Sequence, residues 1–273
     1  MARIAVLIVT HNSERCLARC LARLSDQQEE VQCILVDAGS SSTTYLDGLD
    51  TRPGTHLLRT ANIGFAAANN LGYRAIPEET ECVVFLNPDA FLAPGTLARA
   101  RAILAAHPRV GCLTGLLLGW DLAADRPSGR IDSTGIFRRW YGRWYDRGQG
   151  EVFSGQYDRA EEVPAACGAF LFCRRSALDE TALAGGAVFA PDFFLYKEDI
   201  ELSLRLRRGG WSIHYDPGLT VYHCRGWDRE RANMPHTLRL AAAANEVRLY
   251  QRHPSPYILW ALAKYLLVRW ARL

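Results

Sequence analysis

Short, wholly apolar runs recur along the first hundred residues, and each ends in a cluster of polar or turn-forming residues. Ile4-Ala5-Val6-Leu7-Ile8-Val9 is apolar at every position and rich in β-branched side chains, which predicts a strand buried on both faces. Residues 31–36 predict a second strand, ending at Asp37 and the turn-rich Ala38-Gly39-Ser40-Ser41-Ser42. A shorter strand is expected at 56–59 and a fourth at 82–86, ending at Asn87-Pro88-Asp89. Helices are expected between them: over 14–25 with Ser13 as N-cap, over 65–76, and over 95–106 with Pro94 opening the first turn. This β-α-β-α order predicts an α/β fold, a mostly parallel sheet flanked by helices. Right-handed crossovers then put ligands at the carboxyl ends of the strands. Thr10-His11-Asn12, Asp37-Ala38-Gly39-Ser40 and Asn87-Pro88-Asp89 all fall at those ends.

Residues 119–162 break the rhythm with Gly, Asp, Arg and Trp, and predict an inserted loop or hairpin. Residues 163–173 return to apolar character around Cys167-Gly168-Ala169. Over 198–208 the alternation of Ile200, Leu202, Leu204 and Leu206 suits a strand. Acids at its start, basic residues at its end and Gly209-Gly210 beyond predict a helix instead. Short strands are expected at 211–215 and 219–223, flanking an Asp216-Pro217-Gly218 turn. Two helical stretches, 236–252 and 257–272, close the chain on either side of His253-Pro254-Ser255-Pro256. The last contains no acid, is interrupted by charge and falls short of the ~20 apolar residues a membrane span needs. A place in the membrane interface and docking on the domain both suit it.

Composition narrows the class. The 273 residues are 49% hydrophobic and 22% charged, which excludes disorder, collagen and a small disulfide scaffold. The net charge of +3 hides an asymmetry: residues 225–273 hold nine Arg/Lys against three Asp/Glu, a net +6 on a slightly acidic body. That is a surface for phosphates or anionic lipids rather than a nucleic-acid-binding domain. The eight cysteines show no CxxC pair and several sit inside apolar runs, which fits a reducing cytoplasm. The N-terminal apolar run soon reaches His11-Asn12 and lacks a small-residue cleavage site, so it does not read as a signal peptide.

Four places hold candidate chemistry, each with a plainer alternative. Asn87-Pro88-Asp89 suits a hard divalent cation that also binds phosphate oxygens, or is simply a capping turn. The small residues of Asn62-Ile63-Gly64-Phe65-Ala66-Ala67-Ala68-Asn69-Asn70 let backbone N–H groups approach an anion, or pack a helix tightly on the sheet. Glu198-Asp199 supplies a general base, or only complements a helix dipole. The strand ending Val221-Tyr222-His223-Cys224-Arg225 offers an imidazole as a metal ligand, or a structural histidine. No GxGxxG, P-loop, His-Glu-x-x-His or Gly-x-Ser-x-Gly occurs, so dehydrogenase, P-loop NTPase, zincin and α/β-hydrolase readings lose their best signals.

In order and spacing, these segments together with Val9-Thr10-His11-Asn12-Ser13, Gly168-Ala169-Phe170, Lys197-Glu198-Asp199-Ile200-Glu201 and Tyr222-His223 resemble family 2 glycosyltransferases of the GT-A fold. The closest likeness is to bacterial rhamnosyltransferases of O-antigen and cell-wall polysaccharide assembly. The resemblance covers about residues 3–225, and Asn245-Glu246-Val247-Arg248 with His253-Pro254 extends it less distinctively into the tail. It implies a catalytic domain over 1–225, with its nucleotide-binding half over 1–118 and acceptor half over 119–225, and a basic helical extension over 226–273. It further implies that Thr10, Asn12 and Asp37 hold base and ribose, and that Asn62, Gly64 and Asn70 line the diphosphate side. Asp89, as the second Asp of a DxD motif, and His223 would bind Mg2+ or Mn2+, with Asn87 standing where the first Asp of that motif often is. Asp199 would be the catalytic base, with Gly168, Ala169 and Glu198 among the substrate-binding residues. The implied reaction is inverting transfer of a sugar, favoured as L-rhamnose from a dTDP donor with UDP-sugars open. The implied acceptor is a saccharide on a polyprenyl diphosphate, and the implied location the cytoplasm or the inner face of the plasma membrane. No Gln-x-x-Arg-Trp is present, which separates the chain from processive synthases. A catalytically silent sugar-nucleotide or glycan binder on the same fold and a nucleotidyltransferase stay open as rivals.

Overall fold

The computed structural model describes residues 3–224 and 235–271. The apolar runs lie at the centre of one curled sheet. β1 (Arg3–Thr10), β2 (Val31–Ala38), β3 (Thr55–Thr60) and β4 (Thr80–Leu86) are parallel, in the order β4-β1-β2-β3. Val6, Leu7, Ile8, Leu35, Val36, Val83, Val84 and Phe85 have no measurable exposure, as double-sided burial of these strands requires. The register sets Thr10 opposite Asp37, so the polar ends of β1 and β2 meet side by side.

The helices are α1 (Leu17–Ser25), α2 (Phe65–Tyr73) and α3 (Thr96–Ala106). Two start later than expected. Ser13 exchanges hydrogen bonds with the backbone of His11, so it does not cap forward, and Cys16 stands at the N-cap instead. Pro94 precedes the cap of α3, which is Gly95 in the left-handed region at φ 76°.

β5 (Ala90–Leu92) lies between β4 and α3, and beyond α3 come β6 (Val110–Asp121), β7 (Arg126–Ser133), β8 (Ile136–Arg138), β9 (Trp144–Asp146), β10 (Glu161–Glu162), β11 (Phe170–Arg174) and β12 (Ser212–His223), all of which join the sheet except β8 and β9. The main order is β10-β12-β6-β11-β4-β1-β2-β3, with β11 antiparallel to both neighbours. The stretch 119–162 is therefore not one inserted loop. It holds the end of β6, its antiparallel partner β7, the separate β8–β9 hairpin and the edge strand β10.

The two short strands expected around Asp216-Pro217-Gly218 are one strand, β12, whose halves both run parallel to β6. A turn would have reversed the chain; here the register slips between Asp216 and Thr220, giving a bulge. The Asp216 carboxylate holds it by accepting from the Gly218 N–H at 2.8 Å and from two nitrogens of Arg99 at 2.8 and 3.1 Å. Gly115 on β6 makes room, since a Cβ there would lie 1.8 Å from the Leu219 carbonyl oxygen.

α4 (Arg175–Glu180) follows β11, and α5 (Glu198–Arg208) forms as the charge pattern predicts. Its first turn holds Glu198, Asp199 and Glu201, its last Arg205, Arg207 and Arg208, while Ile200, Leu202 and Leu206 are buried. α6 (His236–Arg252) and α7 (Ile258–Ala271) pack together. Fully buried Glu246 of α6 meets Lys264 of α7, and His253 at the end of α6 bonds Glu201 of α5 at 3.3 Å. All eight cysteines are buried, and no disulfide joins any two of them.

Candidate active site

The carboxyl ends of β1, β2 and β4 open into a cleft of about 910 Å³. Three further segments complete its walls: Trp144-Tyr145-Asp146 of β9, Cys167-Gly168-Ala169 before β11, and Phe194 to Ile200 leading into α5. His223 and Cys224 close one side, and Pro235 and Leu238 at the start of α6 form part of the mouth.

Where the loops after β1 and β2 meet, Asn12 adopts φ 51°, a left-handed conformation that Asn tolerates. Its N–H donates to Ser40 Oγ at 2.9 Å, and its Oδ1 accepts from the Ser41 N–H at 2.7 Å. This stitches the loop after β1 to the loop after β2. Thr10 and Asp37 are buried and are not among the lining residues. Asp37 accepts from the Ser40 hydroxyl at 2.6 Å; Ser40 and Thr10 both bond the Tyr45 hydroxyl, at 2.8 and 2.9 Å. They brace the loop that Asn12 engages.

Asn62 and Gly64 line the cleft. Gly64 has φ 85°, and a Cβ on it would lie 2.5 Å from the Phe194 ring and 2.7 Å from the Phe194 carbonyl oxygen. The Phe65 N–H donates to that same carbonyl at 2.8 Å, joining the start of α2 to the loop before α5. Asn70, expected at the diphosphate side, is outside the cleft lining. It is buried, with Nδ2 donating to the Phe189 carbonyl at 2.8 Å and Oδ1 accepting from the Phe189 N–H at 2.9 Å.

Asn87 lines the cleft, and its N–H donates to the Ala169 carbonyl at 3.0 Å. β5 turns back from Asp89 to pair with the end of β12, with Ala90 opposite His223. Asp89 Oδ1 is thereby 3.2 Å from His223 Nε2. The other ring nitrogen, Nδ1, is 2.8 Å from Oδ2 of buried Asp132 on β7. Burial alone would lower the His223 pKa, but the charge of Asp89 and the hydrogen bonds to Asp132 and Asp89 outweigh it and raise it to about 10. Arg225, next in the sequence motif, lies outside the described residues.

Two carboxylates around one imidazole leave an excess of negative charge. A carboxylate oxygen and an imidazole nitrogen face each other in the cleft, and a second carboxylate orients the ring, as outer partners of metal-bound histidines do. The described residues contain no group of three His, Cys, Asp or Glu side chains able to hold an ion unaided. The set fits a divalent ion that takes its other ligands from phosphate oxygens and water.

Asp199 Oδ2 accepts from the Gly168 N–H at 3.0 Å and Oδ1 from the Ile200 N–H at 2.8 Å, which locks the carboxylate at the head of α5. Burial raises its pKa despite those two bonds. Glu198 is more extreme. Burial and the adjacent Asp199 push it up to about 8, and its buried Oε2 has no hydrogen-bond partner among the described residues. Glu198 is therefore held in the cleft as a neutral acid near neutral pH, beside Asp199.

The residues just before them are strained: Tyr196 and Lys197 have φ 73° and 74°, unusual for side chains of their size. Asn245 of α6 holds this bend by donating from Nδ2 to the carbonyls of Leu195 at 2.8 Å and Tyr196 at 3.0 Å. Reasoning from sequence missed Asp132 altogether, because it falls within the 119–162 stretch that reads as an inserted loop or hairpin. It noticed Asn245 only as part of a tail motif, with no hint of its target.

Comparison with known proteins follows the same lines. A sequence model described as glycosyltransferase like family 2 matches residues 2–245. The chain is 29% identical to the N-acetylglucosaminyl-diphospho-decaprenol L-rhamnosyltransferase of Mycobacterium tuberculosis, covering 94% of this chain and 83% of that protein. Among solved structures it is similar to GalNAc-T7 with UDP, GalNAc and Mn2+, with a TM-score of 0.70 and 15% identity. That match spans 98% of this chain and 56% of the other. A mannosyltransferase from Pyrobaculum calidifontis with GDP-Man and Mn2+ matches with a TM-score of 0.62 and 20% identity, over 98% and 70% of the two chains. At these identities the structural likeness establishes the fold, a GT-A glycosyltransferase architecture.

Proposed function

Because the chain belongs to glycosyltransferase family 2, we propose that it is an inverting, metal-dependent transferase that moves L-rhamnose from dTDP-rhamnose to a lipid-linked saccharide in bacterial surface polysaccharide assembly. One observation carries the reading. The Asp89–His223 pair and the backbone-locked carboxylate of Asp199 open into the same cleft, beside the loops that follow β1 and β2. The mycobacterial relative supports the sugar and the lipid-linked acceptor.

Asn12, braced by Ser40 and Ser41, holds the nucleoside end, with Thr10 and Asp37 supporting that loop from beneath. Asn62, Gly64 and Asn87 flank the diphosphate, and Asn70 fixes the helix behind them through Phe189. Asp89 and His223 would hold a divalent cation, Mg2+ or Mn2+, which would supply charge compensation for the leaving nucleoside diphosphate. The bond from the sugar's anomeric carbon to the diphosphate oxygen breaks with its electron pair on that oxygen. The acceptor hydroxyl oxygen bonds the anomeric carbon from the opposite face, and its proton passes to Asp199. A carboxylate in this role contributes about 10²–10⁴ in rate. Glu198, kept neutral by burial, donates a hydrogen bond to the sugar or the acceptor, and Gly168 and Ala169 shape the floor beside it. The division into a nucleotide half over 1–118 and an acceptor half over 119–225 belongs to the same proposal.

The test is a thermal-shift panel of dTDP, UDP and GDP with Mn2+, Mg2+ or a chelator, on the wild type and on Asp199→Asn. A nucleotide at a hundred times its Kd stabilises by ~2.7 kcal/mol, a shift of several degrees. The expected result is a metal-dependent shift with dTDP that Asp199→Asn keeps while losing sugar transfer. A shift with UDP alone would replace the donor, and no shift with any nucleotide would sink the reading.

A further inference from the structure

Ten large apolar side chains are conspicuously exposed among the described residues, and half of them lie on one helix. Leu259, Leu262, Leu266, Leu267 and Trp270 recur at the spacing of a single α-helical face, with exposures of 40 to 77%. The opposite face of α7 is occupied: Ala261 is fully buried and Lys264 reaches Glu246 of α6. The stripe is thus an outward apolar face about 16 Å long. No helix among the described residues is long and apolar enough to cross a membrane.

A second segment joins this face. The β8–β9 turn carries Arg138-Arg139-Trp140-Tyr141-Gly142-Arg143, and Trp140 is 85% exposed, more than any other large apolar side chain among the described residues. Tyr141 stacks edge-on against Trp260 of α7 at 4.9 Å, and the Arg138 guanidinium lies 4.3 Å from the Tyr257 ring centre. The Tyr250 hydroxyl of α6 donates to the Gly142 carbonyl at 2.5 Å. The turn is therefore tied to the start of α7 rather than free.

We propose that α7 and the 138–143 turn form one docking surface for an anionic lipid bilayer, with the apolar stripe and Trp140 sunk at the level of the headgroups. Charge selects this occupant. Arg138, Arg139, Arg143 and Arg269 are exposed around the face, and neither α7 nor the turn contains an acid. A second copy of the chain would set these arginines against one another without a counter-charge. Anionic headgroups neutralise them, and each basic residue near the surface adds to the attraction. A crevice of about 210 Å³ between α6 and α7, walled by Val247, Leu262 and Tyr265 with exposed Arg248 at its edge, offers the same pairing of apolar wall and cation.

The surface is continuous with the cleft. β9 leaves the basic turn and supplies Trp144, Tyr145 and Asp146 to the cleft wall, while α6 supplies Pro235 and Leu238. A chain docked by this face holds its cleft beside the headgroups, where a lipid-linked acceptor presents its saccharide. That consequence rests on the proposed acceptor; the docking itself does not.

Co-sedimentation of the full chain with phosphatidylcholine vesicles, with and without phosphatidylglycerol, tests it. The wild type is expected to sediment with the anionic vesicles and to be released by salt. Leu262→Glu with Leu266→Glu, and separately Arg139→Glu with Arg143→Glu, should each weaken binding by roughly tenfold or more. Trp140→Gln, a change at a side chain in open solvent, gives a milder loss and guards against misfolding of the double variants. All should keep the wild-type thermal shift with nucleotide and metal. Binding that is absent, indifferent to lipid charge or untouched by the variants overturns the inference. So does a concentration-dependent dimer that the leucine changes abolish. Vesicle binding without any nucleotide shift would leave this surface standing and remove the transferase reading; the reverse result would do the opposite.

Discussion

Glu198 and Asp199 are neighbours in sequence but differ in what holds them. Asp199 accepts two backbone N–H bonds, whereas buried Glu198 Oε2 has no partner among the described residues. Burial and the neighbouring charge raise the Glu198 pKa to about 8, far above its value in an unfolded chain. Between those two values the folded state binds more protons than the unfolded state, so stability falls as pH rises through that window. Glu198→Gln removes the titration. The variant should match the wild type below about pH 5 and exceed it in Tm above about pH 8, by several degrees, in a pH series of thermal melts. If the two curves stay parallel, Glu198 is not held neutral by the fold. Adjacent acids opening a helix were visible in the sequence. Their separate environments were not, because desolvation comes from β9, the 167–169 segment and the strained bend at Tyr196-Lys197.

At the scale of elements, local patterns foretold the strands of the first half and the three long helices of the second. β1, β2 and β4 are apolar because both faces are covered, and that requirement is written in consecutive residues. α5 resisted its alternating leucines because its end charges and the following glycines agree with a helix. β12 went the other way: Asp-Pro-Gly reads locally as a turn, yet both flanks pair with β6 in the same direction. The bulge depends on Gly115, a residue with no local signal. Gly115→Ala would drive a methyl into the Leu219 backbone, a kind of overpacking that costs about 1–3 kcal/mol or more. Urea unfolding should show a lower midpoint with an unchanged slope. An unshifted midpoint would mean that the bulge is loose enough to move aside.

Over the whole molecule, the site is assembled from segments far apart in the chain. Asp89, Asp132 and His223 come from three separate strands or their ends, and Asp132 orients His223 across 91 positions of sequence. Asp132→Ala should weaken the metal-dependent part of the nucleotide shift by about 10–100-fold in apparent metal affinity. Nucleotide binding in the presence of chelator should stay as in the wild type. Titration calorimetry with Mn2+ in the presence of dTDP reads this directly, and an unaltered metal affinity would make Asp132 a packing residue only. The C-terminal helices likewise serve the site, since Asn245 holds the bend that presents Glu198 and Asp199, and His253 braces Glu201 behind them.

The parallel half of the sheet, the loops at its carboxyl edge and the residue types gathered there are legible in the chain read locally. Those follow from burial periodicity and turn chemistry, which act between near neighbours. Long-range packing sets the rest: Thr10, Asp37 and Asn70 are absent from the cleft lining, Asp132 stands behind His223, and one face of α7 is left uncovered. Each depends on which distant segment packs against which, and contacts between side chains scores of positions apart have no signature in the residues beside them.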